Sequence, residues 1–173
     1  METATYFLKT PRLGFREWSA GDLELALLLW GDIRVTQFVG GPFSRNQIET
    51  RLAHEIASME KHGMQYWPVF LLAGDDFAGC CGLRPYKPEE RICELGFHFR
   101  PKYWGQGFAV EAARAVIQHA SASLKTRALF AGHYPDNKTS ARVLEKLGFE
   151  FTHEGIYAPT GKLDRCYRLE LPE

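Results

Sequence analysis

The spacing of apolar residues changes along the chain and predicts helices early, strands in the middle, and both in alternation towards the end. An opening segment from Tyr6 to Trp18, with Pro11 inside it, has the composition of a strand that contains an irregularity. Apolar residues then recur at helical spacing in SAGDLELALLLWGDI. A second helix is predicted to open at Ser44, where Ser-Arg-Asn-Gln has the form of a capping box. Its apolar face consists of Ile48, Leu52, Ile56 and Met59.

From Trp67 onwards the period is that of strands. WPVFLLAG, DFAGCCGLRPY and RICELGFHFR each read as one strand, and ALFAGHY reads as a buried strand. Helices are predicted from about Gly107 to Ser121 and in DNKTSARVLEKLGF, and two last strands, near 149–154 and 166–171, flank the loop APTGKLD. This order predicts a single domain over residues 1–173, of the α/β (α+β) class, with a mixed sheet and helices on both faces.

Composition and charge exclude several classes of partner. Hydrophobic residues make up 45% of the chain, and 21 basic residues balance 21 acidic ones. This balance gives no electrostatic basis for binding nucleic acid or an acidic membrane surface. The start lacks the pattern of a signal peptide, and no stretch approaches the roughly 20 apolar residues of a membrane span. We therefore expect a cytoplasmic protein with neither nucleic acid nor a membrane as partner.

The four cysteines do not have the spacing of a metal or redox site. CxxC is absent, and two of the four are adjacent, which suits neither zinc nor a disulfide framework. We interpret them as reduced, buried thiols and expect no metal. They are Cys80, Cys81, Cys93 and Cys166.

The segment at the start of the predicted helix after Tyr103 combines glycine with free backbone amides. Two glycines, Gly105 and Gly107, precede the helix, whose first amides have no partner within it. Such a turn can hold a phosphate, or it can be a tight turn that binds nothing. A dinucleotide fingerprint would need glycine or a small residue at Val110, and the Gly-Lys-Ser/Thr of a P-loop is absent.

Two longer stretches resemble a known family. ELGFHFRPKYWGQGFAVEA, followed by DNKTSARVLEKLGFEFTHEG, resembles the GNAT superfamily of acetyl-CoA-dependent N-acetyltransferases. The opening LKTPRLGFREW is similar to the branch that includes the ribosomal-protein N-terminal (Rim-type) acetyltransferases. The likeness runs from about Phe7 to Leu171. It implies the GNAT-like acyl-CoA N-acyltransferase fold, with a mostly antiparallel sheet of about seven strands, and acetyl-CoA as co-substrate.

The resemblance also implies where coenzyme A binds. The family signature is Arg/Gln-x-x-Gly-x-Gly/Ala, whose amides hold the pyrophosphate. Gly107 and Ala109 match its last two positions, whereas Trp104 stands where Arg or Gln is usual. The expected coenzyme A contacts are Phe97, Phe99, Trp104, Gly105, Gln106, Gly107, Phe108, Ala109, Asn137 and Ser140.

Three side chains are candidates for proton transfer. Glu94 and His98 share one face of a strand, so each is either a general base or an ordinary strand residue. The resemblance implies a strand splayed at 96–100, whose backbone N–H can polarise the thioester carbonyl. It also implies that Ser140 protonates the leaving thiolate, as a serine at this place does in related branches. Many other members use a tyrosine four residues later, where this chain has Leu144. Ser140 and Asn137 are otherwise helix-start residues, the latter as a cap.

These residues predict direct attack of a primary amine on acetyl-CoA in a ternary complex. The amine belongs to a protein N-terminus or to a small molecule, and Phe38, Tyr66, Trp67 and Tyr157 are candidates for lining its site. One alternative is a non-catalytic sensor that binds acyl-CoA. Another is a nucleotide-binding or structural domain. The sequence allows a monomer or a homodimer.

Overall fold

A computed structural model describes residues 5–172, in which the chain forms one eight-stranded sheet and five helices. The strands are β1 (Leu8–Lys9), β2 (Leu13–Phe15), β3 (Tyr66–Leu71), β4 (Phe77–Lys87), β5 (Ile92–Phe99), β6 (Ala128–His133), β7 (Glu150–Tyr157) and β8 (Lys162–Glu170). The helices are α1 (Leu23–Trp30), α2 (Ile33–Thr36), α3 (Arg45–His62), α4 (Phe108–Ala122) and α5 (Lys138–Lys146).

The sheet is mixed and mostly antiparallel, as predicted. Its order is β1-β2-β3-β4-β5-β6-β8-β7, and β5 with β6 is the parallel pair. It has eight strands rather than about seven, because the turn around Pro11 divides the opening segment into β1 and β2. These two strands pair with each other, and the amide of Thr10 donates to the carbonyl of Leu13 across the turn.

Helices cover both faces of the sheet. On one face, α1 and α3 enclose a core that includes Trp30, Ile48 and Leu52. On the other face, α4 and α5 belong to a larger core with Leu95 and Phe99. Small residues of α4, among them Ala112 and Ala113, are fully buried, and they let the helix lie close to the strands.

The predicted helix ends are confirmed where local chemistry determines them. Ser44 and Gln47 form a capping box at the start of α3. At the end of α5, Gly148 has a φ of 84°, and the amide of Phe149 donates to the carbonyl of Leu144, as in a Schellman motif.

Two predictions of secondary structure need correction. The short helix α2 was not predicted, and β7 and β8 extend much closer to each other than expected, so the connection is only residues 158–161. The first six residues of β7 except Gly155 are exposed, and an exposed edge strand has no apolar alternation to reveal it.

The cysteines have the predicted state. All four are free and buried. Within residues 5–172 there is no cluster of three His, Cys, Asp or Glu side chains arranged to hold a metal ion. None of the described helices is both long enough and apolar enough to cross a bilayer.

The parallel pair β5–β6 separates halfway along. The ladder joins Ile92–Glu94 to Ala128–Phe130 and ends there. Beyond it β5 stays paired with β4 as far as Phe99, while β6 stays paired with β8 as far as His133. The two strands therefore diverge and leave a gap in the sheet beside residues 96–100, where the splay was expected.

Candidate active site

The loop before α4 presents a row of free backbone donors. Gly105 and Gly107 have φ values of 73° and 80°, a left-handed conformation that favours glycine. Within residues 5–172, the amides of residues 105–110 have no hydrogen-bond acceptor, and the carbonyl of Gly107 accepts from Glu111. Glycine at these exposed positions and the positive end of the α4 dipole together form a cradle for a phosphate group.

The side chains of this loop have structural roles. Trp104 donates its indole N–H to the carbonyl of Phe99 at 2.7 Å, which ties the loop to the end of β5. Gln106 donates to the carbonyl of Lys102, and the ring of Phe108 is buried against Tyr103. Because these side chains are engaged within the protein, Gln106 and Phe108 can bind an anion only through their backbone amides.

Arg12 braces the same loop, and the sequence analysis did not identify it. Its guanidinium donates to the carbonyl of Gln106 at 3.1 Å, pairs with Glu111 at 2.6 Å and lies over the ring of Phe108. Thr10 adds a bond to Glu111 at 2.6 Å. The sequence does contain the two residues of this ion pair, a basic one beside the first strands and an acidic one in the first turn of α4, and they could have suggested the contact.

The start of α5 carries the two polar residues expected to meet coenzyme A. The side-chain oxygen of Asn137 accepts from the amide of Ser140 at 3.1 Å, so Asn137 caps the helix and keeps its NH₂ group free to donate. Ser140 is half-buried, and its hydroxyl has no partner within the described chain.

A cavity of about 570 Å³ extends from these residues through the gap between β5 and β6. On the α4–α5 side it is lined by Phe97, Phe99, Trp104, Ala109, Asn137 and Ser140. On the α3 side it is lined by Glu94, His98 and Tyr66, among others. The structure therefore brings the three proton-transfer candidates and most of the expected coenzyme A contacts to one cavity, with Gly105, Gln106, Gly107 and Phe108 on the adjoining loop.

Glu94 stands where the β5–β6 ladder ends. Burial raises the pKa of its carboxyl, and the nearby charge of Asp164 adds to this shift, while Arg84 and Tyr66 oppose it. The hydroxyl of Tyr66 lies 3.4 Å from Oε1 of Glu94. The ring of Tyr66 can lie over β5 at this point because residue 96 is glycine. A Cβ at that position would collide with the ring.

His98 is held as a neutral ring. Burial, with the charges of Arg51 and Arg84, lowers its pKa well below the usual value. The indole N–H of Trp30, which can only donate, lies 3.2 Å from Nδ1 of His98. The lone pair of Nδ1 is therefore occupied, and the ring proton is on Nε2.

The aromatic residues proposed for the acceptor end separate into two groups. Phe38, Tyr66 and Tyr157 line the cavity. Trp67 does not, because it follows Tyr66 in β3 and points to the opposite face of the sheet, where it packs against Phe7 and His119. The prediction for Trp67 was wrong.

Four charged residues of the cavity were missed by the sequence analysis: Arg34, Arg51, Arg84 and Asp164. For Arg51 a signal was present, since it lies on α3 between Ile48 and Leu52, at the edge of the apolar stripe. A charged residue at such an edge lies beside the interior and needs a partner or a function. Arg84 and Asp164 lie on strands without a comparable signal.

The gap in the sheet, the free amides before α4 and the cavity together form a site that can hold an extended phosphate-containing cofactor. A sheet with a splayed parallel pair, an amide cradle opening one helix and a cavity through the gap fit the pantetheine and pyrophosphate of coenzyme A. The model of the family described as "Acetyltransferase (GNAT) domain" matches residues 12–150. The chain therefore belongs to the GNAT acetyltransferase family, whose co-substrate is acetyl-CoA.

Relatives share sequence with the chain, and solved structures share its fold. The chain is 26% identical to "Uncharacterized N-acetyltransferase p20" of Bacillus licheniformis over 145 residues. This alignment covers 83% of this chain and 82% of that protein. An acetyltransferase from Agrobacterium tumefaciens superposes with a TM-score of 0.81 at 25% identity, covering 99% of this chain and 98% of that one. RimL, a ribosomal L7/L12 alpha-N-protein acetyltransferase solved with coenzyme A, has a TM-score of 0.82 at 15% identity, covering 96% and 98%.

Proposed function

We propose that the protein transfers the acetyl group of acetyl-CoA to a primary amine of a small molecule or a protein N-terminus, by direct attack while both substrates are bound. The observation that carries this proposal is the continuity of the cavity, which runs from Trp104 and Ala109, on either side of the amide cradle, through the gap between β5 and β6 to the half-buried carboxylate of Glu94. A substrate that reaches from one end to the other places its thioester beside Glu94 and the unpaired part of β5.

The proposal assigns one group of the chain to each step of the reaction. Glu94 removes a proton from the incoming amine, directly or through a water molecule, and its raised pKa suits that task near neutral pH. A backbone N–H of residues 96–100 polarises the thioester carbonyl, because β5 has no partner strand on the β6 side there. Ser140 then gives a proton to the departing thiolate.

His98 is the weaker candidate for the base. Its Nδ1 already accepts from Trp30, so it could take a substrate proton only after losing that hydrogen bond. We assign it to the wall of the acceptor site. Trp104, in place of the usual Arg or Gln, leaves pyrophosphate binding to backbone amides and to Arg12.

The alternative of a non-catalytic acyl-CoA sensor has one observation in its favour. Leu144, at the position of the family's tyrosine, is buried in the core and cannot donate a proton. Ser140 would have to replace that donor.

Buried, free thiols suit the cytoplasm, which we propose as the location of the protein.

Turnover separates the enzyme from the sensor. The purified chain is incubated with acetyl-CoA and a panel of polyamines, amino acids, amino-acid amides and short peptides, and both free coenzyme A and acetylated amine are quantified by mass spectrometry. We expect acetylation of at least one class above the rate without protein. Tight coenzyme A binding with no acetylated product from any class would favour the sensor.

A further inference from the structure

The acceptor end of the cavity has two carboxylates on its sheet side, next to Arg84, whose charge is paired with Glu55, and on the helix side an arginine without an ionic partner in the described chain. Glu94 on β5 and Asp164 on β8 lie on the sheet side, and their charges are close enough for Asp164 to act on the titration of Glu94. Asp164 is buried, and its Oδ1 has no partner among residues 5–172. Arg51 faces the cavity from α3, on the opposite wall.

Arg51 differs from the two other arginines that line the cavity. Arg84 is paired with the buried carboxylate of Glu55, and Arg34 is paired with Asp32 at 2.6 Å. Arg51 forms neither a salt bridge nor a hydrogen bond with any residue from 5 to 172, and its Nε is buried without an acceptor. Arg51 is half-buried, and a buried N–H without an acceptor is unfavourable, so a ligand that brings an anion to Arg51 relieves this cost.

The guanidinium of Arg51 is held in place and is near the reaction centre. It lies 4.5 Å above the ring of Trp30, and the indole of Trp30 donates to His98 on β5. One aromatic ring therefore separates Arg51 from His98 on β5. The charge of Arg51 also acts on the titration of Glu94, so the two groups are near enough for one small molecule to contact both.

The acceptor end is also covered on one side. The ring of Phe38, between α2 and α3, stacks on Tyr134 at 5.7 Å between centroids. In the same segment, a Cβ at Gly40 would be 3.6 Å from the methyl group of Thr160 in the β7–β8 turn. This cover favours a small acceptor over a long polypeptide.

We propose that the acceptor is a small amine that also carries a carboxylate, an amino acid or a close derivative, and that Arg51 binds the carboxylate. This inference rests on the proposed function, since acetyl transfer requires the amine to lie at the gap beside Glu94. The charges then match in orientation: the amine meets the carboxylate wall, and the substrate carboxylate meets Arg51. A planar guanidinium can bind a carboxylate through two parallel hydrogen bonds.

The test compares matched acceptors and matched variants. Acetylation is measured with the free amino acids, with the carboxamide of the best one, with the amine that lacks its carboxyl group, and with putrescine. We expect the amino acid to have the highest kcat/KM, although the amine of its carboxamide is less basic and should react more readily. Arg51→Met should lower kcat/KM for the amino acid about 10- to 100-fold and leave the carboxamide within about threefold, because a charge-assisted bond to the carboxylate is lost.

Two further variants control for structural effects. Arg45→Met makes the same substitution on the same helix but outside the cavity, and it should change kcat/KM for neither acceptor. Arg51→Lys keeps the charge without the bidentate geometry, so it should give an intermediate loss, and it remains informative if the methionine variant does not fold. Equal losses with the acid and the carboxamide in Arg51 variants, or putrescine as the best acceptor, would overturn the inference.

Binding separates this inference from the proposed function. Calorimetry measures the affinity of N-acetyl amino acids with small, aromatic and acidic side chains for the complex with coenzyme A, and this needs no turnover. If no amine is acetylated, the proposed function fails, while Arg51-dependent binding of these N-acetyl amino acids still supports a carboxylate site. If amines are acetylated but no N-acetyl amino acid binds in an Arg51-dependent way, the proposed function stands and the carboxylate site does not.

Discussion

Glu94 and His98 lie on the same face of β5 and differ in what surrounds their acceptor atoms. The Nδ1 of His98 accepts from Trp30, whereas the contact of Glu94 with Tyr66 is long, at 3.4 Å, and leaves carboxylate lone pairs free. Burial shifts the pKa of both groups towards the neutral form. For Glu94 this shift makes the carboxylate a stronger base than an ordinary glutamate, whereas for His98 it keeps the ring neutral near pH 7.

Glu94→Gln tests the base. The base works in its ionised form, so activity falls as the pH drops through the raised pKa of Glu94, above the ordinary value of about 4.3. We expect kcat of the glutamine variant to be about 10²- to 10⁴-fold lower, and we expect its pH profile to lack the fall in activity at low pH, the acidic limb of the profile. Rates are expressed per concentration of neutral amine, which removes the titration of the acceptor itself. An acidic limb that persists unchanged in the variant would assign it to another group, and His98→Gln then becomes the decisive comparison.

Ser140→Ala tests the acid. Because its hydroxyl has no partner in the described chain, removing it should leave the fold and the affinity for acetyl-CoA almost unchanged. We expect kcat to fall about 10- to 1,000-fold, at the lower end because a thiolate with a pKa near 8.5 leaves without much assistance. Thr139→Ala, at the neighbouring hydroxyl of the cavity lining, is the control. Full kcat in the Ser140 variant, with chemistry limiting the rate, would leave Ser140 as a helix-start residue only.

At the scale of elements, α4 with its preceding loop forms one half of the site. The loop supplies free amides, and Arg12 joins it to the first strands through Gln106 and Glu111. The loop is therefore held in shape by contacts distant in sequence, and its donors are oriented before a ligand arrives. This arrangement lowers the entropy cost of binding.

Gly107→Glu tests the cradle. The variant places a Cβ and a negative charge where the pyrophosphate would lie, and it adds strain because the φ of 80° disfavours a side chain. We expect the Kd for coenzyme A to rise at least about 100-fold, by calorimetry. Gly74→Glu is the matched control: its φ is 93°, and it lies in the β3–β4 turn with no atom within 4 Å of a Cβ. Similar affinities in the two variants would rule out a pyrophosphate site at this loop.

Elements with local signals could be predicted from the sequence, whereas those defined by tertiary contacts could not. The ends of α3 and α5 follow from Ser44 and Gly148, and the amide cradle follows from two glycines before an apolar helix. The exposed strand β7 carries no such pattern. Arg51 and Asp164 approach one cavity from α3 and β8, more than 100 residues apart, so no local window contains both.

At the scale of the whole molecule, the cavity crosses the sheet and is lined by residues from both faces and both halves of the chain. A ligand that fills it contacts Trp104 and Ser140 on one side and Glu94 on the other. Binding is therefore coupled to global stability rather than to one loop.

Thermal unfolding measures this coupling. Coenzyme A at about 100 times its Kd should stabilise the fold by about 2.7 kcal/mol. For a chain of this size, that corresponds to a rise in melting temperature of about 5–10 °C. ATP at the same concentration should give a much smaller rise, because it lacks the pantetheine arm that enters the cavity. An equal rise with ATP would favour a nucleotide-binding protein over an acetyltransferase.

The short ladder between β5 and β6 has a mechanical consequence. Three residue pairs, Ile92–Glu94 with Ala128–Phe130, join a half-sheet of five strands to one of three. With so few pairs between them, we expect the two halves to tilt about this junction, widening or narrowing the gap. Coenzyme A spanning the gap would hold both halves together, so amide hydrogen exchange along β6 should slow when it binds, while exchange in the continuous β3–β4 pair should hardly change. Slower exchange along β6 would show that the ladder which opens the sheet for chemistry also lets it deform at the active site.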